Sequence, residues 1–461
     1  MDYFFKPKSI AVIGATTNPF KGGNAILKNL ITGYQSKIYP INPRYNEIEG
    51  LPCYPSVIAI PGPVDLAIVF VPARQVPDAV AQCADKGVPG VIIESGGFAE
   101  TGADGKSLQS SLINLSKTTG IRLWGPNCMG LVDAVNGHVF SFMDPRAFKA
   151  GLTPGSVSLV VQSGMLSAGF LVDIMTHGIM GISKVCSVGN KIDVDECDLL
   201  PWLIEDKDTA VIGLYLESLL NGRSFIDICR NSPKPIVVLK GGKSAKGAQA
   251  AMSHTASLAG NERIIQGAFA QAGVVEASDF KQMMDLCRTL SMVPPQGKGR
   301  PGRVAILTFS GGAGIVSADF LDAEGLEVAD LSEHTKESLG RLFPEWMPVS
   351  NPVDLWPALE RHAGGEIDVI GQALAAVLAD SQVDAVLLHA FVGNFRIRFD
   401  INDLARQVKT AGKPAFIWLL GKREESFQFY NEARTLGIPV FSEIGRAIEC
   451  MAAVFKERES S

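Results

Sequence analysis

Residues 9–23 read SIAVIGATTNPFKGG: an unbroken apolar run, a loop of small and turn-forming residues, and two glycines that open the next segment. The run is short and apolar throughout, as a strand buried on both faces of a parallel sheet requires. Residues 24–33, NAILKNLITG, carry a helical pattern. Strand, glycine-bearing loop and helix make half of a βαβ unit, and the alternation continues. KIYPIN (37–42), LAIVFVP (66–72), GVIIESG (90–96) and RLWGPN (122–127) are further apolar strands, with the helix candidate QVPDAVAQCADKG (75–87) among them. The first third of the chain therefore predicts a doubly wound α/β domain.

Outward from there, MDPRAFKAGLTPG (143–155) interrupts the pattern with two prolines and two glycines and reads as a linker. A second α/β run starts at SVSLVVQSG (156–164) and passes through ISKVCSVGN, AVIGLYLES and PIVVLKGG to about residue 293. PPQGKGRPG (294–302) is a clearer linker, and a third run begins at RVAILTFSGG and continues through AVLLHAF (385–391) and PAFIWLLG (414–421). The 461 residues thus divide into expected domains at 1–145, 150–293 and 302–461, each near the usual domain size of about 150 residues. SVSLVVQSGMLSAGFLVD (156–173) parallels RVAILTFSGGAGIVSADFLD (303–322), which predicts that the last two modules are related.

Hydrophobic residues make up 46% and charged residues 20%, so apolar area is not limiting. A net charge of −6 argues against a broad nucleic-acid-binding face. The eight cysteines lack CxxC spacing and predict reduced, mostly buried thiols of a cytoplasmic protein, with neither a metal site nor a disulfide framework. The N-terminus runs straight into a strand without the pattern of a signal peptide, and no apolar run spans a bilayer.

The loop GATTNPFKGG (14–23) suits a phosphate: glycine lets backbone approach closely, and the helix N-terminus offers N–H groups and a favourable dipole. It is not the GxGxxG dinucleotide fingerprint. Strand two ends in PINPR, with Arg44 where a ribose-binding carboxylate normally sits. An arginine binds a ribose phosphate, and coenzyme A carries one; the competing reading is a surface arginine in a turn. Gly96, Gly97, Gly125 and Gly130 close later strand ends and permit close backbone approach by an extended ligand. Cys128, with no histidine beside it, reads as a buried structural thiol.

A second constellation, GGKSAKGAQAAMSHTASLAG (241–260), sets His254 among small and hydroxyl-bearing residues, where core histidines rarely sit. Neutral imidazole is a competent nucleophile, and Ser253, Thr255 and Ser257 can donate to phosphate oxygens. Glu217, at the end of an apolar strand in the same module, is the candidate carboxylate to orient it. The turns QSGMLSAGF (162–170) and SVGNKIDVD (187–195) offer further N–H groups to an anion, although each is also an ordinary βα turn.

Taken in order, GATTNPFKGG, NPR, VFVPA, ESGGFAETG, GPNCMG, QSGMLS, SVGNKIDVD, YLES, SHTASLAG, TFSGGAGI and SNPVDL resemble the NDP-forming acyl-CoA synthetases, the superfamily of succinyl-CoA synthetase, and most of all the α subunits of ADP-forming acetyl-CoA synthetases. The resemblance implies a Rossmann-like CoA-binding domain followed by two flavodoxin-like ligase domains. It implies the reaction acyl-CoA + NDP + phosphate = acid + NTP + CoA through a phosphohistidine, with His254 and Glu217 as catalytic pair. It carries CoA contacts to Gly14, Ala15, Thr16, Thr17, Asn18, Arg44, Val71, Pro72, Glu94, Ser95, Gly96, Asn127 and Cys128, and phosphate contacts to Ser163 and Gly164. Ala256 stands where family members often have glycine. All three runs are accounted for without an ATP-grasp module, so the resemblance implies a partner β subunit carrying ATP/ADP and Mg²⁺, in an α2β2 assembly. The alternatives are a CoA-binding regulatory or acetyltransferase-related protein without ligase activity, and an NADP-dependent dehydrogenase.

Overall fold

The computed structural model describes residues 1–149, 151–178, 180–244, 246–247, 249, 262–297, 301–393 and 400–456. They form two compact units, Met1–Met283 and a second that starts at Met284.

In the first unit, β1 (Ser9–Ile13), β2 (Lys37–Ile41), β5 (Leu66–Val69), β6 (Gly90–Ile93) and β7 (Arg122–Trp124) form a parallel sheet of order β2-β1-β5-β6-β7. β1, β5 and β6 are buried along their whole length, as their uniform apolar runs predict. The chain leaves β1 to one side for β2 and returns to its other side for β5. That reversal opens a crevice beyond the strands' carboxyl ends, where α/β proteins bind ligands. A short hairpin, β3 (Glu47–Ile48) and β4 (Leu51–Pro52), follows β2. Its turn residues Glu49 and Gly50 have φ of 52° and 79°, the two positive values a type I′ turn needs.

The second sheet runs β14-β13-β12-β10-β11-β8-β9. β10 (Pro154–Val161), β11 (Ile182–Ser187), β12 (Val211–Leu216), β13 (Ile236–Lys240) and β14 (Val275–Ala277) are parallel. β8 (Gly130–Asp133) and β9 (His138–Phe140) form a hairpin that lies antiparallel on β11. The switch from one sheet to the next thus comes before the boundary expected at residue 145. The hairpin pairs with an edge of β11 that would otherwise stay open, which is why it belongs to the later module.

The two sheets share one apolar core in which Phe4, Trp124 and Phe140 join Leu199, Leu203 and Phe225. Trp124 is wholly buried and its Nε1 donates to the Ser187 carbonyl at 2.6 Å. Phe5 stacks on Trp202 with centroids 3.7 Å apart, and Trp202 Nε1 donates to Asp2 at 2.8 Å. Residues 1–283 are therefore a single unit with two sheets.

The second unit holds a parallel sheet of β15 (Arg303–Thr308), β16 (Glu327–Val328), β17 (Val353–Asp354), β18 (Ala385–Val392), β19 (Ala415–Gly421) and β20 (Val440–Phe441). The internal repeat is visible in three dimensions: β10 leads through Ser163 into helix Gly164–His177, and β15 leads through Ser310 into helix Gly311–Ala323. Beneath the second of these turns His389 is buried, its Nδ1 2.8 Å from Thr308 Oγ1 and its Nε2 3.1 Å from Ser317 Oγ. Burial holds its pKa down to about 4, so the ring is neutral. All eight cysteines are unpaired thiols. Among the described residues no helix is long and apolar enough to cross a membrane.

Candidate active site and coenzyme cleft

The crevice beyond β1 and β5 is a cavity of about 830 Å³. Its wall includes Gly14 and Thr16 after β1, Arg44 after β2, Val71 and Pro72 after β5, and Ser95 and Gly96 after β6, so four strand ends named from the sequence converge. Gly14 is required on two counts: its φ is +96°, and a Cβ there would lie 2.3 Å from the Phe70 carbonyl oxygen. The loop is pinned from behind, because Asn42 Nδ2 donates to Ala15 O at 2.8 Å and Asn24 Nδ2 to Thr16 O at 2.9 Å. The helix Gly22–Gly33 that follows has no side-chain cap at its N-terminus, and Lys21 at that end faces the cavity. Positive charge from Lys21 and Arg44, together with a helix N-terminus, suits a polyanionic ligand.

Several expected contacts play other parts. Thr17 and Asn18 are exposed on the loop and outside the cavity wall; Asn18 Oδ1 accepts from Phe20 N at 3.0 Å and shapes the turn. Ala15 is fully buried. Ser95 Oγ donates to Val71 O at 2.7 Å and accepts from Val71 N at 3.0 Å, stitching β5 to β6. Glu94 is buried behind the wall, where its Oε2 accepts from Phe142 N at 2.9 Å. Burial pushes its carboxyl well above the usual range. Cys128 is buried too, 3.4 Å from Ile93 O, and burial pushes its thiol up. An un-ionised thiol of this kind is a packing group.

The sequence reading missed part of the wall. Gln75, Asp78 and Gln82 line the cavity from helix Val76–Lys86 and the residue before it. Polar residues at that spacing read as a solvated face, and only the fold shows that the face looks into the crevice. Tyr45 was also missed; its hydroxyl lies 3.4 Å from both Thr16 and Thr17 Oγ1 and ties the first loop to the second.

Three further motifs meet beside the cavity. Residues 188–194 run along the segment 123–126: Asn190 N donates to Pro126 O, Ile192 N to Gly125 O, and Val194 N to Leu123 O, at 2.9, 3.2 and 3.0 Å. Asn190 Nδ2 donates to Glu100 Oε2 at 2.7 Å and to Gln109 Oε1 at 3.0 Å. Burial alone would raise the Glu100 carboxyl, but hydrogen bonds from Phe98 N, Asn190 and Gly97 N outweigh it and hold it low. ESGGFAETG, GPNCMG and SVGNKIDVD therefore form one joint.

The second-module turn abuts this joint. Ser163 caps helix Gly164–His177 by accepting from Leu166 N at 3.4 Å. A Cβ on Gly164 would stand 3.6 Å from Met129 N and 3.7 Å from the Cys128 carbonyl carbon. On the neighbouring strand, Glu217 directly follows β12 and is buried; Tyr215 O–H donates to its Oε1 at 3.4 Å, and Lys240 Nζ donates to its backbone carbonyl at 2.8 Å. Burial and the neighbouring Glu217 push Tyr215 up to about 12, while burial pulls Lys240 down. His254 lies outside the described residues, as do Ser253, Thr255 and Ala256. The geometry thus brings the Ser163–Gly164 turn against Asn127–Met129, and Asn127 N donates to the carbonyl of the wall residue Ser95 at 2.9 Å.

Residues 8–134 match the model of the CoA binding domain, and residues 154–290 match that of the succinyl-CoA ligase like flavodoxin domain. The chain is similar to acetate–CoA ligase [ADP-forming] I subunit alpha of Pyrococcus furiosus, 36% identical over 99% of this chain and 97% of that one. The chain belongs to the ADP-forming acyl-CoA ligases. Within this family it is also similar to acetate–CoA ligase [ADP-forming] II of Archaeoglobus fulgidus, at 37% identity over 98% of this chain; it spans only 66% of that longer protein. Among solved structures, the Ca. Korarchaeum cryptofilum dinucleotide forming acetyl-coenzyme A synthetase 1 in complex with phosphate and ADP is 31% identical, with a TM-score of 0.86 over 98% of this chain and 96% of that one. The N-terminal CoA-binding domain and the flavodoxin-like ligase architecture expected of an ADP-forming ligase are both present.

Proposed function

We propose that this chain is the α-type subunit of a cytoplasmic ADP-forming acyl-CoA ligase that interconverts acyl-CoA, ADP and phosphate with acid, ATP and CoA. The observation that carries this reading is the contact of the Ser163–Gly164 turn with Cys128 and Met129, beside Asn127, whose N–H donates to the carbonyl of the cavity-wall residue Ser95 at 2.9 Å. A thioester held in the crevice and a phosphate held at a helix N-terminus meet there. A phosphate oxygen attacks the thioester carbonyl and the CoA thiolate leaves, giving an acyl phosphate. The phosphoryl group then moves to the His254 imidazole, releasing the carboxylate, and ADP finally takes it to become ATP.

In this reading Lys21 and Arg44 hold coenzyme phosphates, with Gly14, Ala15, Thr16, Thr17 and Asn18 forming the loop and Val71, Pro72, Glu94, Ser95, Gly96, Asn127 and Cys128 forming or backing the rest of the site. Ser163 and Gly164 hold the reacting phosphate, and Glu217 orients His254. The nucleotide and its Mg²⁺ are supplied by an ATP-grasp β subunit, paired with this chain as α2β2. The similarity to proteins named as alpha subunits supports that division.

The first half of the reaction needs no partner, and this makes it testable on the chain alone. Acetyl-CoA with radiolabelled phosphate is expected to place an acid-labile, base-stable label on the protein, and His254→Asn is expected to abolish it. Undiminished labelling of that variant would remove His254 from the mechanism.

A further inference from the structure

One buried amide bridges the two halves of the site and has no part in the chemistry above. Gln162 follows the last residue of β10, directly precedes the capping Ser163, and is 3% exposed. The β10–β12 ladder reaches its last paired residues at Val161 and Tyr215. Beyond that point the Gln162 side chain takes over the pairing. Its Oε1 accepts from the N–H of Glu217 at 2.8 Å and of Ser218 at 3.0 Å, and its Nε2 donates to Ser218 Oγ at 3.2 Å. The same residue's backbone N–H donates to Tyr215 O at 3.0 Å.

The segment 217–218 is also held from its other side. Lys191 Nζ donates to Ser218 O at 2.9 Å and to Glu196 Oε2 at 2.7 Å, all within the buried interior. The Lys191 ammonium and the Glu196 carboxylate form an ion pair at the second of those distances, so its charge is compensated locally. Gln162 adds no charge of its own. It can therefore fix where the Glu217 backbone sits without shifting the electrostatics of the carboxyl group, which a charged tether in its place would do.

We infer that Gln162 is a positioning residue: it locks the Glu217 strand end to the Ser163–Gly164 turn, so that the orienting carboxylate and the phosphate-binding N–H groups keep one fixed separation. The inference rests on the phosphoryl transfer proposed above for its consequence, and on the hydrogen bonds alone for the lock itself.

Gln162→Met keeps the volume and removes the acceptor; Gln162→Glu keeps an acceptor for both N–H groups and for the Ser218 hydroxyl. In the full chain, incubated with acetyl-CoA and radiolabelled phosphate, Gln162→Met is expected to lower the labelling rate about 10- to 100-fold, the range that a displacement of order 1 Å costs. The acetyl-CoA concentration giving half the maximal rate should stay within about threefold, because the coenzyme crevice is untouched. Gln162→Glu should restore the tether but only part of the rate, because its charge sits beside the Glu217 carboxyl group. In parallel, amide hydrogen exchange across residues 214–220 should accelerate at Glu217 and Ser218 in the methionine variant and not in the glutamate variant.

Wild-type labelling by Gln162→Met, or slowed labelling with exchange at 217–218 unchanged, overturns the inference. If the wild-type chain takes no label, the proposed function is what fails, and unchanged exchange in Gln162→Met would still overturn the lock. Should Gln162→Met not fold, Gln162→Asn, whose amide falls one methylene short, is judged by the same two measurements.

Discussion

Arg44 and Glu94 show how differently two expected ligand contacts can act. Arg44 is exposed at the cavity wall, where a ribose phosphate would find it. Arg44→Ala is expected to weaken CoA binding about tenfold or more, the usual scale of a charge-assisted hydrogen bond, and to leave 3′-dephospho-CoA unaffected. Calorimetric titration with the two ligands checks this, and equal losses for both would place the arginine away from the 3′-phosphate. Glu94 sits behind the wall with its carboxyl raised by burial. Because the folded state keeps this proton after the unfolded chain has lost it, the stability it contributes is complete below the ordinary carboxylate value of 4.5 and is lost as pH rises through the folded value. Glu94→Gln carries no titrating proton. The unfolding midpoint of the wild-type protein should therefore decline relative to that of Glu94→Gln as the pH is raised above about 5. Parallel pH profiles would show that Glu94 does not titrate in this window.

At the level of elements, the stretch 188–194 does more than connect β11 to the next helix. It lies against 123–126 so closely that Gly189, with φ of +57°, would place a Cβ 2.2 Å from Pro126 O. Left-handed backbone is costly for a residue with a side chain, and backbone atoms cannot move aside cheaply. Gly189→Ala is expected to cost about 2–4 kcal/mol of stability, read as a lower denaturant midpoint. A midpoint matching the wild type would mean that this stretch yields readily. The hairpin β8–β9 plays a comparable part, since the edge it protects on β11 lies some fifty residues further along the chain.

For the molecule as a whole, the alternation of apolar runs and glycine-rich turns made all five strands of the first sheet and the central strands of the other two readable in advance, whereas the short strands β14, β16, β17 and β20 were not. SIAVI, LAIVF and SLVV have only one stable environment, a sheet covered on both faces. Convergence of Gly14, Arg44, Val71, Pro72, Ser95 and Gly96 was readable as well, because ligand sites in such sheets collect at strand ends. What escaped was pairing across distance. The hairpin at 130–140 reads as the tail of the first domain until its partner β11 is known. Gln75, Asp78 and Gln82 read as a wet helix face. Gln162 reads as one more polar residue in a turn, since the two residues its side chain binds lie 55 and 56 positions downstream. Burial direction was equally hidden: nothing in ESGG distinguishes a glutamate that faces a ligand from one that faces Phe142.

The common core of residues 1–283 also carries a kinetic implication. With Trp124 buried between the sheets and Asn190 clasping Glu100, the Gly96 side of the crevice and the Ser163 turn belong to a single anvil. Under the proposed reaction, with the nucleotide held by a partner subunit, that anvil would stay in place and the phosphoryl carrier would do the travelling, so turnover is expected to be paced by that journey whenever bond-making at the anvil is fast.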